Sequence, residues 1–248
     1  MNETFVVYGR HFRQFAGVAA VVQVPAALLA LIPGEGLTVY VAVNVVLLFA
    51  LMAVHGATIS GVGQHYVTGG VVVGLCYARV LWRGVSMFIL GTLPVLLTVG
   101  FIVAVASQQQ AWVSVVILGV VAAQLGYLVV APVVIVEGYR SFGALRRGYD
   151  LVRHSELRII GNVAVFVLVG IGLSIVLMLP FILASIGVAP DATTVGSRAL
   201  QIIGSVVVGV VVPPVIFIAV TLLYYDLRVR NEDYNVDRLS KEMGLAAA

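Results

Sequence analysis

The chain has 248 residues, of which 61% are hydrophobic and 10% charged, with a formal net charge of +3. An ordinary soluble domain is roughly 45–50% apolar and about 25% charged, so a soluble fold of this size is excluded. Its apolar runs are continuous and lack the ten-residue alternation of a membrane β-barrel, which leaves helices as the form whose backbone satisfies itself in lipid.

The amino terminus is basic, with Arg10, His11 and Arg13, and leads into an apolar run over residues 15–32. That run imitates a secretory signal, but it is long, lacks a following A-x-A pattern and is one of six, so it reads as a retained helix. The others cover about 37–60, 85–106, 111–136, 159–186 and 199–225. A hydrocarbon core of roughly 30 Å asks for about 20 apolar residues per helix. The prediction is therefore an all-α integral membrane protein of six transmembrane helices.

Basic residues set the expected orientation. Arg10 and Arg13 precede the first run, and Arg79 and Arg83 follow the second. Arg140, Arg146, Arg147, Arg153 and Arg158 follow the fourth, and Arg228, Arg230, Arg238 and Lys241 follow the sixth. Thirteen of the 14 lie on one side and only Arg198 on the other. The positive-inside rule then places both termini in the cytoplasm. Residues 1–230 read as one membrane domain and 231–248 as a short cytoplasmic tail.

Three stretches align without gaps at a period of 70: FVVYGRHFR at 5–13, LCYARVLWR at 75–83 and LRRGYDLVR at 145–153. Each carries a large apolar residue at its first and eighth positions and Arg at its ninth, namely Arg13, Arg83 and Arg153. This predicts three units, about 1–66, 67–137 and 138–230, each an interfacial amphipathic helix followed by a transmembrane hairpin. In the third, Phe142, Leu145, Tyr149 and Val152 share one helical face, with Arg146, Arg147, Asp150 and Arg153 mostly elsewhere. Such a helix lies in the interface plane with its arginines among lipid phosphates.

No charged residue falls in the central part of a predicted span; Glu137 and Asp226, each at a cytoplasmic end, come nearest. This weakens an ion-coupled transporter, which needs a titratable group at mid-depth. Among polar residues within spans, Asn44, His55, Gln124 and Asn162 are the candidate intramembrane site, against the plainer reading of helix-to-helix hydrogen bonds. A metal site at His55 and His65 lacks a third ligand. Cys76, the single cysteine, has no partner for a disulfide. Prolines at 25, 94, 132, 180, 213 and 214 predict kinks. Tyr225 and Asp226 form a candidate structural lock, with Asp226 paired to Arg153 or Arg147. Arg13, Arg83, Arg146, Arg147, Arg153 and Arg228 are candidate contacts for lipid headgroups or a partner chain.

The segments ALRRGYDLVR (144–153) and LLYYDLRVRNEDYN (222–235) resemble two signatures of an uncharacterised group of bacterial and archaeal membrane proteins. That group is similar to the membrane domain preceding the catalytic domain of some glycerophosphoryl diester phosphodiesterases. The resemblance covers roughly 25 residues and otherwise only the hydropathy and six-helix layout. It implies a module of a prokaryotic inner membrane. The His-Arg dyad and Glu ligands that the family's catalytic domain would bring have no counterpart here: only 18 residues follow Arg230, and no histidine is followed by Arg-Gly. It therefore lends no catalytic residue.

The expected function is non-catalytic, with no cofactor or metal: a scaffold for other membrane subunits, or a module that organises anionic lipid at the cytoplasmic face. The alternative is a transporter or channel with a path between the repeats. No nucleic-acid partner is expected.

Overall fold

The computed structural model describes residues 2–29, 36–107, 117, 119–120, 123, 126–153, 156–188 and 195–245, and these are all-helical or short connections. Helix α1 (Asn2–Arg10) and α2 (Phe12–Leu28) are separated by a break at His11. Two long helices follow, α3 (Leu37–Thr68) and α4 (Val73–Ala106). Next come α5 (Gly126–Glu137), α6 (Ser141–Val152), α7 (Glu156–Val188), α8 (Val195–Glu232) and α9 (Val236–Met243).

Among the described residues, four helices are long and apolar enough to cross a membrane: α3, α4, α7 and α8. A fifth appears if α5 and α6, bent by 112° at their junction, count as one broken span. The first expected span corresponds to α2, whose 17 residues fall short of the about 20 that a bilayer asks for. The fourth, at 111–136, lies partly outside the described residues, as does Gln124, and its described end is α5.

Helix ends depart from the apolar runs because polar residues extend a helix wherever they find partners. Thus α3 runs eight residues past the run ending at 60. It stops at Gly69, whose positive φ of 71° supplies the left-handed cap. Gln64 secures that turn: its side-chain oxygen accepts the Val72 amide at 2.9 Å. The second repeat stretch, 75–83, is not a separate interfacial helix but the opening turns of α4. Only the third, in α6, stands as a helix of its own, while the first straddles the His11 break.

The core gathers around α3, which packs against α2, α4 and α8 and, at its end, against α9. Close approach relies on glycine. A Cβ on Gly56 would meet Met87 Sδ at 2.9 Å, and one on Gly61 would meet Phe15 at 3.0 Å. Elsewhere α7 runs against α8, where a Cβ on Gly204 would press on Phe181 Cβ at 2.9 Å. Lipid offers no hydrophobic force between helices, so such backbone proximity supplies much of the attraction.

At the end of α5 the last turn, Val133–Glu137, is π-helical and follows Pro132. Gly138, with φ of 76°, closes it and turns the chain sharply into α6. There Ala144 and Leu151 pack inward, and Gly148 rests on Val130, 3.0 Å from where its Cβ would stand.

Gly204→Ala is expected to destabilise by about 1–3 kcal/mol through overpacking at Phe181, which sits too close to the α7 backbone to yield. Gly100→Ala, where a Cβ meets nothing within 4 Å, serves as the control. Unfolding in mixed micelles reads the difference.

Candidate functional site

Glu137, at the end of the π-helical turn, lies beside the last turns of α8. Tyr224 donates its hydroxyl to Glu137 Oε1 at 2.7 Å. From α6, Arg147 Nε donates to Glu137 Oε2 at 2.9 Å and the same guanidinium pairs with Glu232. Burial works against the Arg147 charge, but the hydrogen bonds to Glu232 and Glu137 outweigh it and hold the group above its ordinary range.

Arg228 stands at the centre and is only 4% exposed. Its Nη1 and Nη2 grip the two oxygens of Glu242 at 2.7 and 3.0 Å, a bidentate fork. Nε donates to Glu232 at 3.1 Å, and Nη1 also reaches the Tyr224 hydroxyl at 3.2 Å. The guanidinium lies 3.7 Å from the centroid of the Tyr234 ring, a cation–π contact. Tyr234 in turn donates to Glu242 at 2.8 Å. Burial, and then that carboxylate, pushes the Tyr234 phenol up.

Helix α9 reaches this cluster because Asn235 caps it, accepting the Arg238 amide at 3.0 Å. Leu239 and Met243 are buried, and Met243 fills the space left by the missing side chain of Gly63 on α3. The carboxyl end of α9 meets cations from α4. Arg79 donates to the Met243 carbonyl, and Arg83 to that of Glu242 at 3.2 Å. Arg83 also donates to the Ile135 and Val136 carbonyls at 3.0 and 2.6 Å, which the end of α5 leaves without helical donors. Two arginines facing three carboxylates, with Arg83 and Arg79 behind them, thus join α4, α5, α6, α8 and α9.

The residues singled out from sequence fall into distinct places. Asp226 does not pair with Arg147 or Arg153. It is exposed and holds Arg230 on its own helix at 2.9 Å, because its side of α8 turns away from α6. Tyr225 is buried, stacked against Tyr234 at 6.3 Å and edge-on to Tyr66 at 6.2 Å. Arg228 and Arg83 are committed to protein partners. Arg13, Arg146 and Arg153 are exposed. Glu137, Glu232, Glu242 and Tyr234 belong to the site but escaped the sequence reading. The signal that could have found α9 is an Asn cap followed by apolar Val236, Leu239 and Met243 at helical spacing.

Of the intramembrane candidates, His55 is buried and lines a cavity with Tyr127. Asn44 is half-buried and bonds back to the Tyr40 carbonyl at 2.8 Å, and neither it nor the half-buried Asn162 lines that cavity. His65 meets His11 at 3.0 Å, not His55. Among the described residues, no three His, Cys, Asp or Glu side chains converge to hold a metal ion.

Arg228→Ala is expected to cost about 2–3 kcal/mol, since it removes the fork that holds the partly buried Glu242 and Glu232 and the cation beside buried Glu137. Arg228→Lys restores little of this, because an ammonium lacks the planar fork. Asp226→Ala, at an exposed pair, is expected to change stability by no more than about 0.5 kcal/mol. Unfolding in mixed micelles ranks the three.

Two segments that lie far apart in the sequence, 144–153 and 222–235, therefore meet through Arg147 and Glu232. Compared with protein families, curated proteins and solved structures, the chain finds no match, so the reading of its function rests on this geometry.

Proposed function

We propose that the chain is a non-catalytic, six-span membrane protein with both termini in the cytoplasm, and that it gathers anionic lipid at the cytoplasmic leaflet. The observation that carries the reading is the outer face of α6. An amphipathic helix packed on a protein normally turns its apolar side inward. Here Phe142 is 84% and Tyr149 63% exposed, and they flank Leu145 on the same outward face. Trp82 and Leu81, on α4, are equally bare. Aromatic side chains left uncovered beside Arg146 and Arg153 suit the boundary between acyl chains and headgroups.

Beneath α6 lies an apolar cleft of about 310 Å³, lined by Val129, Val130, Leu145, Tyr149, Val152 and Ile159 among others. An acyl chain in that cleft would leave its phosphate near the exposed arginines. The ion cluster fits this role as the fixture that holds α6 in place, since Arg147 is anchored while its neighbour Arg146 is free to face lipid.

A scaffold for other membrane subunits is the second reading, and α7 favours it. Leu168, Ile171, Ile175, Leu179, Ile182 and Ile186 are all exposed at helical spacing.

The test extracts the full-length chain from its membrane into polymer-bounded discs and compares co-purified lipid with bulk lipid. Enrichment of anionic phospholipid is expected. Arg146→Gln with Arg153→Gln should weaken it by about tenfold or more, at about 1 kcal/mol per basic residue near the surface. Both side chains are exposed, so melting should not change. Lipid of bulk composition with a stoichiometric second protein would favour the scaffold.

A further inference from the structure

Near the middle of α3, well away from the arginine cluster, His55 shows the opposite condition. It is 1% exposed, stacked on Phe217 with centroids 4.2 Å apart, and approached edge-on by Tyr127 at 5.8 Å. Neither of its ring nitrogens has a hydrogen-bond partner, and neither does the hydroxyl of Tyr127, itself 7% exposed. Both residues line one cavity of about 210 Å³, whose remaining wall is apolar and includes Leu51, Met52, Leu128, Val167 and Pro213.

A buried polar atom left unpaired costs roughly 1–3 kcal/mol, and here the two side chains that carry three of them line a single cavity. Arg79 Nη1 and the Tyr225 hydroxyl beside the arginine cluster are also buried without a partner, but at His55 both ring nitrogens are unpaired and the ring shares its cavity with Tyr127, so helix packing by itself does not satisfy this pair. An occupant of the cavity does. Its chemistry follows from the walls. Among the described residues no charged side chain lines the cavity, and an unpaired ion there would be strongly disfavoured, so the occupant is neutral. Imidazole offers one donor and one acceptor, and a phenol offers both. A hydroxyl complements the pair, accepting from one and donating to the other. The rest of the wall asks for hydrocarbon.

We propose that this cavity binds the hydroxyl end of a neutral, long-chain lipid, either a glycerolipid with a free hydroxyl or a simple lipid alcohol. The site goes beyond the anionic-lipid reading and shares no residue with the α6 surface, so each can fail without the other. His55 and Tyr127 recognise the head group, and Phe217 fixes the imidazole plane by stacking.

The experiment uses the full-length chain in phosphatidylcholine discs and a diazirine-bearing hexadecanol as photoprobe. Saturable labelling of the α3 and α8 segments around His55 and Phe217 is expected. Unlabelled hexadecanol or dioleoylglycerol should displace the probe, the stronger competitor identifying the source, and hexadecane should not. Tyr127→Phe removes one oxygen and keeps the shape of the wall. It should weaken binding by about tenfold, the equivalent of one lost hydrogen bond. His55→Phe should do at least as much, and Leu51→Trp should close the cavity and abolish labelling. If His55→Phe fails to fold, Tyr127→Phe carries the test. Non-saturable labelling, equal displacement by hexadecane, or labelling indifferent to Tyr127→Phe would overturn the proposal and leave a cavity that holds water only.

Discussion

A guanidinium buried to the depth of Arg228 must be surrounded by acceptors, and much of the polar end of this protein answers that requirement. The charge sits on α8, but its partners come from elsewhere: Glu242 from α9, Glu232 from the following turn, and Glu137 at 3.9 Å from α5. Each carboxylate recruits a further group, Glu137 taking Arg147 and Tyr224, and Glu242 taking Tyr234. A network of this kind stabilises only when complete, because a half-satisfied set leaves charges stranded in a low dielectric. Its contribution is therefore as much to specificity as to stability. It determines where α6 and α9 rest, two short helices that could not hold a position by their own propensity.

The consequence reaches the surface. With α6 tethered through Arg147 and Leu151 on one side, its aromatic side is left bare. The sharp exit from α5 that makes this arrangement possible depends on Gly138, because a side chain there would oppose both the positive φ and the Arg83 guanidinium 3.2 Å away. Ion pairing and backbone permissiveness thus act on the same short stretch, and the exposed aromatic face of α6 is their product.

Within the apolar part of the bundle the two polar regimes differ in kind. At the cluster, the carboxylates and the Arg147 and Arg228 guanidinia satisfy one another, while Arg79 Nη1 and the Tyr225 hydroxyl beside them stay unpaired. At His55 and Tyr127 they are too few and too far apart to do so, and the bundle leaves a cavity where their partner would be. The contrast follows from helix geometry. Side chains at the ends of helices converge from several elements, whereas mid-helix side chains meet only what the facing helix presents.

Much of the architecture was legible in the residues themselves. Apolar runs of membrane-spanning length announced helices, because lipid permits little else. The spacing of Phe142, Leu145 and Tyr149 marked α6 as a separate helix with one apolar face, and His55 was identified as a polar residue in an apolar setting. The sequence even drew attention to segments 144–153 and 222–235 separately. Which residues of those segments meet was not legible, since Asp226 and Arg228 stand two positions apart and a helix turns about 200° between them. Hydropathy could not tell which faced α6. Nor could it foresee that the tail folds back as α9, because α9 is stabilised by a space beside Gly63 and a charge on α8, both remote in sequence. Composition and periodicity determined that the protein is a bundle of apolar helices with an arginine-rich end. Tertiary structure alone decided which arginine is buried, which remain exposed, and where the polar groups of His55 and Tyr127 are left unpaired, because those outcomes depend on distances between elements that no local pattern encodes.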